Sequence, residues 1–170
     1  MNPDAGGPIN GTGNVGGWEN SEIRTYLNDE TAGVDSIYNA LPEDLRNVIV
    51  KTKVISGHDS KDSSNFTTLD KLYLLSTNEV WGKEGTSLTV TGDTAEGETR
   101  QLDYYRIQEV TTSNYSGATK NNLEGVGTNW WLRSAYSYSG SPYYYVYYDG
   151  IWGQTASNND YGVAPAFKVA

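Results

Sequence analysis

The chain has 170 residues, a length suited to one domain with a core of its own. It carries 12 basic and 21 acidic side chains for a net charge of -9, has no cysteine and has one histidine. This excludes disulfides, thiol catalysis and thiolate metal sites, and it argues against a nucleic-acid partner, whose phosphates demand clustered Lys and Arg. No apolar run reaches the roughly 18 residues of a membrane span, so no membrane insertion is expected.

Met1 to Gly17 is rich in Gly, Pro and Asn and reads as a flexible lead, without the basic start or apolar stretch of a signal peptide. Asn20 or Ser21 caps a helix that carries Ile23, Tyr26 and Leu27 to Asn28. A second helical piece covers about 34–40, and Pro42 opens a further turn with Glu43 and Asp44. Val48 to Ile55 reads as a strand, His58 to Thr68 as a polar loop and Leu69 to Leu75 as a second strand. Ser76-Thr77-Asn78-Glu79 has capping-box form ahead of a turn with Val80 and Trp81. Gly82 to Arg100 reads as an exposed hairpin or loose loop, Leu102 to Val110 as a strand, and Thr111 to Thr128 as irregular.

The end of the chain differs from the rest. Trp130-Trp131-Leu132 begins a buried strand, Tyr143 to Tyr148 is an aromatic strand, and Asp149-Gly150 signals a type I′ turn before Ile151 to Thr155 returns. Val163 to Val169 forms a last strand, with Pro165 at an edge or bulge. Short helices followed by short strands predict one compact α+β domain, with two N-terminal helices on a small, mostly antiparallel sheet. Trp130, Trp131, Val163 and Phe167 are expected in or near its core.

Gly11-Thr12-Gly13-Asn14-Val15-Gly16 spells GxGxxG, but nothing upstream forms the strand that a dinucleotide site requires. His58, Asp59 and Asp62 are too few for a metal site, and with Asn65 they lack calcium-loop spacing, so a solvated loop is expected there. No G-x-S-x-G elbow is present, and no nucleophile, base and oxyanion group can be assembled. The reading is therefore of a non-enzyme without cofactor or metal.

Tyrosine carries the positive signal. Of 14 tyrosines, Tyr136, Tyr138, Tyr143, Tyr144, Tyr145, Tyr147 and Tyr148 fall in one short stretch among Ser, Gly and Pro. An ordinary aromatic strand accounts for part of this. With Tyr144 and Val146 facing in, Tyr143, Tyr145 and Tyr147 would face out. Displayed tyrosines among Ser, Gly and Asn have the composition of an antibody paratope.

Four separated motifs carry a resemblance: Trp18-Glu19-Asn20-Ser21-Glu22-Ile23-Arg24-Thr25-Tyr26-Leu27-Asn28, Leu69-Asp70-Lys71-Leu72-Tyr73-Leu74-Leu75-Ser76, Trp130-Trp131-Leu132-Arg133-Ser134-Ala135 and Gly162-Val163-Ala164-Pro165-Ala166-Phe167. In this order they resemble domains of C-type lectin-like fold that serve as variable proteins of diversity-generating retroelements. The resemblance implies a domain over 18–170 behind the 1–17 lead, with a diversified segment at about 130–167. In that family randomised adenines scatter Asn codons to Tyr, Ser, Gly, Asp, Thr and Ile. The variable positions implied are Tyr136, Tyr138, Tyr143, Tyr145, Tyr147, Tyr148, Ile151, Gly153, Thr155 and Asn158, which would bind the ligand. The framework implied is Trp130 to Arg133, Val146, Asp149, Gly150, Trp152 and Gly162 to Phe167. Trp152 cannot arise from such a codon through its adenines alone. The partner implied is a protein or glycan on a cell or virus surface, with an extracellular, cell-surface or virion location. The alternatives are a carbohydrate-binding or carbohydrate-active module with the tyrosines as a sugar platform, or a structural module of a larger surface protein.

Overall fold

A computed structural model describes Ile9, residues 13–82 and residues 100–170. The hairpin or loop expected between Gly82 and Arg100 lies outside the described residues. Ser21 accepts a hydrogen bond from the Arg24 amide and starts helix α1 (Glu22–Asn28), which buries Ile23 and Leu27. Ser36 caps α2 (Ile37–Ala40), so this helix is shorter than expected, because the capping hydroxyl follows Val34 and Asp35. Pro42 precedes α3 (Glu43–Val48), whose first turn holds Glu43 and Asp44 beside the positive helix end.

Strands β1 (Ile49–Val50) and β2 (Thr52–Ser56) divide the expected strand over 48–55. Its buried side is Ile49, Thr52 and Val54, while Val48 and Val50 are exposed. β3 (Phe66–Asp70) pairs antiparallel with β2, from Thr52↔Asp70 to Ser56↔Phe66. The second strand thus begins inside the expected polar loop, and the apolar run from Leu72 to Leu75 is buried without joining a named strand. Helix α4 (Thr77–Trp81) has both halves of its capping box: Ser76 Oγ accepts from the Glu79 amide, and Glu79 accepts from the Ser76 amide.

The strand expected over 102–110 is instead helix α5 (Asp103–Ile107). Arg100 and Arg106 both reach the Asp103 carboxylate at 3.2 Å, and Tyr104 and Ile107 are exposed while Tyr105 is buried. After a short 3-10 turn at Ser116–Ala118 comes a three-stranded antiparallel sheet of β4 (Trp130–Ala135), β5 (Pro142–Val146) and β6 (Trp152–Ala156). The last strand is only β7 (Lys168–Val169), paired with β1. Upstream of it a single bridge joins Tyr73 and Ala166, and Phe167 is partly exposed, outside the core expected for it. Mixed short helices and small antiparallel sheets make the fold α+β.

The four motif segments meet around one core. Trp18 Nε1 and Arg24 Nε donate to the two oxygens of Asp70, each at 2.9 Å. Asn28 Oδ1 accepts from the Lys71 and Leu72 amides, the Arg133 amide donates to Leu75, and the Trp131 amide donates to Gly162. Trp18, Trp81, Trp130 and Trp131 are all buried there. Part of the lead joins them: Ile9 is fully buried, its amide donates to Ser157, and its carbonyl accepts from Ile23.

Candidate functional site

The register of the C-terminal sheet sets the direction of each tyrosine. Tyr143 stands opposite Thr155 and Tyr145 opposite Gly153, while Tyr144 stands opposite Gln154 and Val146 opposite Trp152. Alternate residues therefore point to opposite sides, yet Tyr143, Tyr144, Tyr145 and Val146 are all buried. The expectation that Tyr143 and Tyr145 face out is corrected here, because both sides of β5 are covered. On one side Tyr161 lies 4.6 Å and Trp131 6.2 Å from the Tyr145 ring, centre to centre. Gly153 makes room for that ring: a Cβ there would sit 2.6 Å from it. On the other side Tyr144 packs between Tyr136 at 5.8 Å and Trp152 at 6.4 Å.

The remaining candidates lie at two ends of β5, a strand that spans about 17 Å at 3.3 Å per residue. At the β4–β5 end are half-buried Tyr136 and exposed Tyr138, with exposed Asn158 two residues past Ala156, the partner of Pro142. At the β5–β6 end are exposed Tyr147 and Tyr148 and half-buried Ile151. Thr155 is half-buried, and Gly153 is buried under Tyr145. The sequence cluster is thus two exposed groups joined by a buried middle.

The β5–β6 connection is not the expected type I′ turn, which needs positive φ at both central residues. Only Gly150 has it, at +95°, and the loop is the three-residue kind: the Tyr147 amide donates to Ile151 and the Gly150 amide to Tyr147, at 2.8 and 2.9 Å. A side chain at Gly150 would also strike the Tyr115 carbonyl oxygen at 2.1 Å. The loop tip is braced by the segment before β4, where Gly127 lies against Tyr148. That segment presents Leu123 at 90% and Val126 at 58% exposure, beside Tyr148 at 61%. Sequence reasoning missed both residues, because they sit singly in a stretch that is polar by composition.

The loop expected to be solvated is partly enclosed. Asp59 is fully buried, and its Oδ1 accepts from the Lys61 and Asp62 amides at 2.7 and 2.9 Å. His58 Nδ1 donates to the Asp59 carbonyl. Burial and the nearby Asp59 and Asp62 carboxylates push the Tyr143 phenol up. The amides of Gly13, Asn14 and Gly16 donate to Ser157 Oγ, the Gly140 carbonyl and Asp62, so they are engaged within the protein and do not face a phosphate. Among the described residues no three His, Cys, Asp or Glu side chains are grouped to hold a metal. No described helix is long and apolar enough to cross a membrane. What the arrangement offers at its surface is aromatic faces, neutral hydroxyls and isolated aliphatic side chains.

No curated protein and no solved structure matches the chain. One family model matches residues 6–170, nearly the whole length and every element of the fold, and it is described as a domain of unknown function, DUF6273. The chain therefore belongs to the DUF6273 family.

Proposed function

We propose that the chain is a non-enzymatic recognition domain of C-type lectin-like fold, which contacts a protein or glycan partner through its C-terminal hairpin. The observation that carries this reading is the β5–β6 tip, where Tyr147, Tyr148, Val126 and Leu123 are exposed on neighbouring loops. Exposed apolar and aromatic side chains on loops that meet at Gly127 and Tyr148 have the character of an interaction surface. Tyrosine supplies contact area at low entropy cost, and a loop held by Gly150 and Gly127 loses little further freedom on binding.

Diversification fits the same pattern. Tyr136, Tyr138, Tyr147, Tyr148, Ile151, Thr155 and Asn158 reach solvent at least in part, between segments anchored through Trp130, Trp131 and Gly162. Buried Tyr143, Tyr145 and Gly153 form the layer beneath them rather than the contact surface. The experiment is binding of the labelled domain to glycan arrays and displayed surface proteins, with Tyr147→Ser/Tyr148→Ser and Tyr138→Ser compared. The tip variant should lose about tenfold or more in affinity, since central interface aromatics carry about 2 kcal/mol each. Binding that survives both variants unchanged would overturn the reading. Sequencing the same locus across isolates tests diversification: variation confined to the seven solvent-reaching positions supports it, and an invariant segment removes it.

A further inference from the structure

A second site lies away from the exposed tyrosines, in a cavity of about 530 Å³ bounded by β1, β2, β4, β7, α4 and the residues just before α5. That volume is the size of a small-molecule pocket. Five of the 12 basic residues of this acidic chain line it: Lys51, Lys53, Arg100, Arg133 and Lys168. Among the described lining residues Glu79 is the one carboxylate, and it is already joined to Arg133. Lys51 and Lys168 are exposed and form no ion pair among the described residues. The β1–β7 pairing brings them together, because Lys168 stands opposite Val50, next to Lys51. Asp103 holds Arg100 at 3.2 Å and Glu79 holds Arg133, so among the described residues Lys51 and Lys168 share the cleft with no carboxylate to separate their like charges.

We propose that this cavity binds a small organic anion with two or more negative charges, held by Lys51 and Lys168 over a partly apolar floor. A cleft lined by one sign of charge concentrates the opposite sign within it. Val54, Ile55 and the ring of Tyr73 supply the apolar surface, so the ligand has a carbon frame as well as charges. Burial and the Glu79 carboxylate push the Tyr73 hydroxyl up, so it remains a protonated donor at neutral pH. Carboxylate and phosphoryl groups share the required chemistry, and two probes separate them.

The test is thermal unfolding of the whole chain with citrate in one arm and glycerol 3-phosphate in the other, each against sodium chloride of equal ionic strength. At about 100-fold excess over Kd the Tm should rise by roughly 5–10 °C and saturate in one arm. That rise should vanish in Lys51→Glu/Lys168→Glu and fall strongly in the milder Lys51→Gln/Lys168→Gln, which serves if charge reversal disturbs folding. Lys61→Glu, an exposed lysine outside the cavity, should keep it. A saturable rise with citrate assigns a carboxylate ligand, and one with glycerol 3-phosphate assigns a phosphoryl ligand. No saturable rise in either arm, or a rise that persists in both pocket variants, overturns the proposal.

Discussion

Arg133 is a cation with 1% of its surface exposed, so it is costly to place in this core unless every donor finds a partner. Its Nε donates to the Ile55 carbonyl at 3.0 Å, and one terminal nitrogen donates to Leu74 at 2.7 Å and to Glu79. One planar fork thus ties β4 to β2, to the segment before α4, and to the α4 capping glutamate. Arg133→Ala leaves Glu79 and two carbonyls without this donor, and breaking a buried pair in this way costs about 3–5 kcal/mol. Urea unfolding should show that loss, and Arg133→Lys should recover little of it because an ammonium cannot reproduce the fork. A change below about 1 kcal/mol would mean that water reaches these groups freely. Gly153 poses the opposite problem, of space rather than charge. Gly153→Ala puts a methyl 2.6 Å from the Tyr145 ring, an overpacking worth about 1–3 kcal/mol. In the Tyr145→Leu background the same change should cost clearly less, and strict additivity in the cycle would show that the two do not share the space.

At the scale of elements, the strand β5 makes the sharpest prediction. Tyr138→Ser and Tyr148→Ser remove exposed rings and should shift stability by no more than about 0.5 kcal/mol. Tyr143→Ser, Tyr144→Ser and Tyr145→Ser open cavities and should each cost about 3–5 kcal/mol by chemical denaturation. If all five behave alike, the division of β5 into buried middle and exposed ends is wrong. The same strand marks the limit of sequence reading. Its existence and its period of two were legible from Tyr143 to Val146. Whether one side or both are covered is decided by Tyr161, Trp131 and the loop at Asp59, which arrive from elsewhere in the chain. Helix ends were legible where a cap wrote them, as at Ser21 and Ser76, because the signal spans only three or four residues. Helix α5 was not, because its Tyr and Ile favour strands, and the Asp103 contacts to Arg100 and Arg106 that mark it as a helix are weak, exposed pairs. The two exposed ends of the hairpin were legible as tyrosines, whereas Leu123 and Val126 belong to the surface only through the approach of Gly127 to Tyr148.

For the molecule as a whole, the aromatic core couples stability to alkaline pH. The carboxylates held below their usual range include Asp29, lowered by the Thr31 amide and hydroxyl, and Asp103, lowered by Arg106 and Arg100. Asp103 is exposed and Asp29 is in partial contact with solvent, which screens such interactions, so their protonation removes little. The phenols are different. Burial pushes Tyr105 and Tyr144 up to about 12, and it raises Tyr143 and Tyr145 as well. An unfolded tyrosine ionises near about 10. Above that pH the unfolded chain releases protons that the folded chain still holds, so unfolding gains free energy as pH rises. The stabilisation from these groups is complete below about pH 10 and is lost as pH climbs towards about 12. Phenolate absorbance and circular dichroism followed together should show Tyr105, Tyr143, Tyr144 and Tyr145 ionising only in the step that abolishes the fold. A single smooth titration of all 14 tyrosines, with native dichroism preserved throughout, would show that the sheet between the two ends of β5 is open to water.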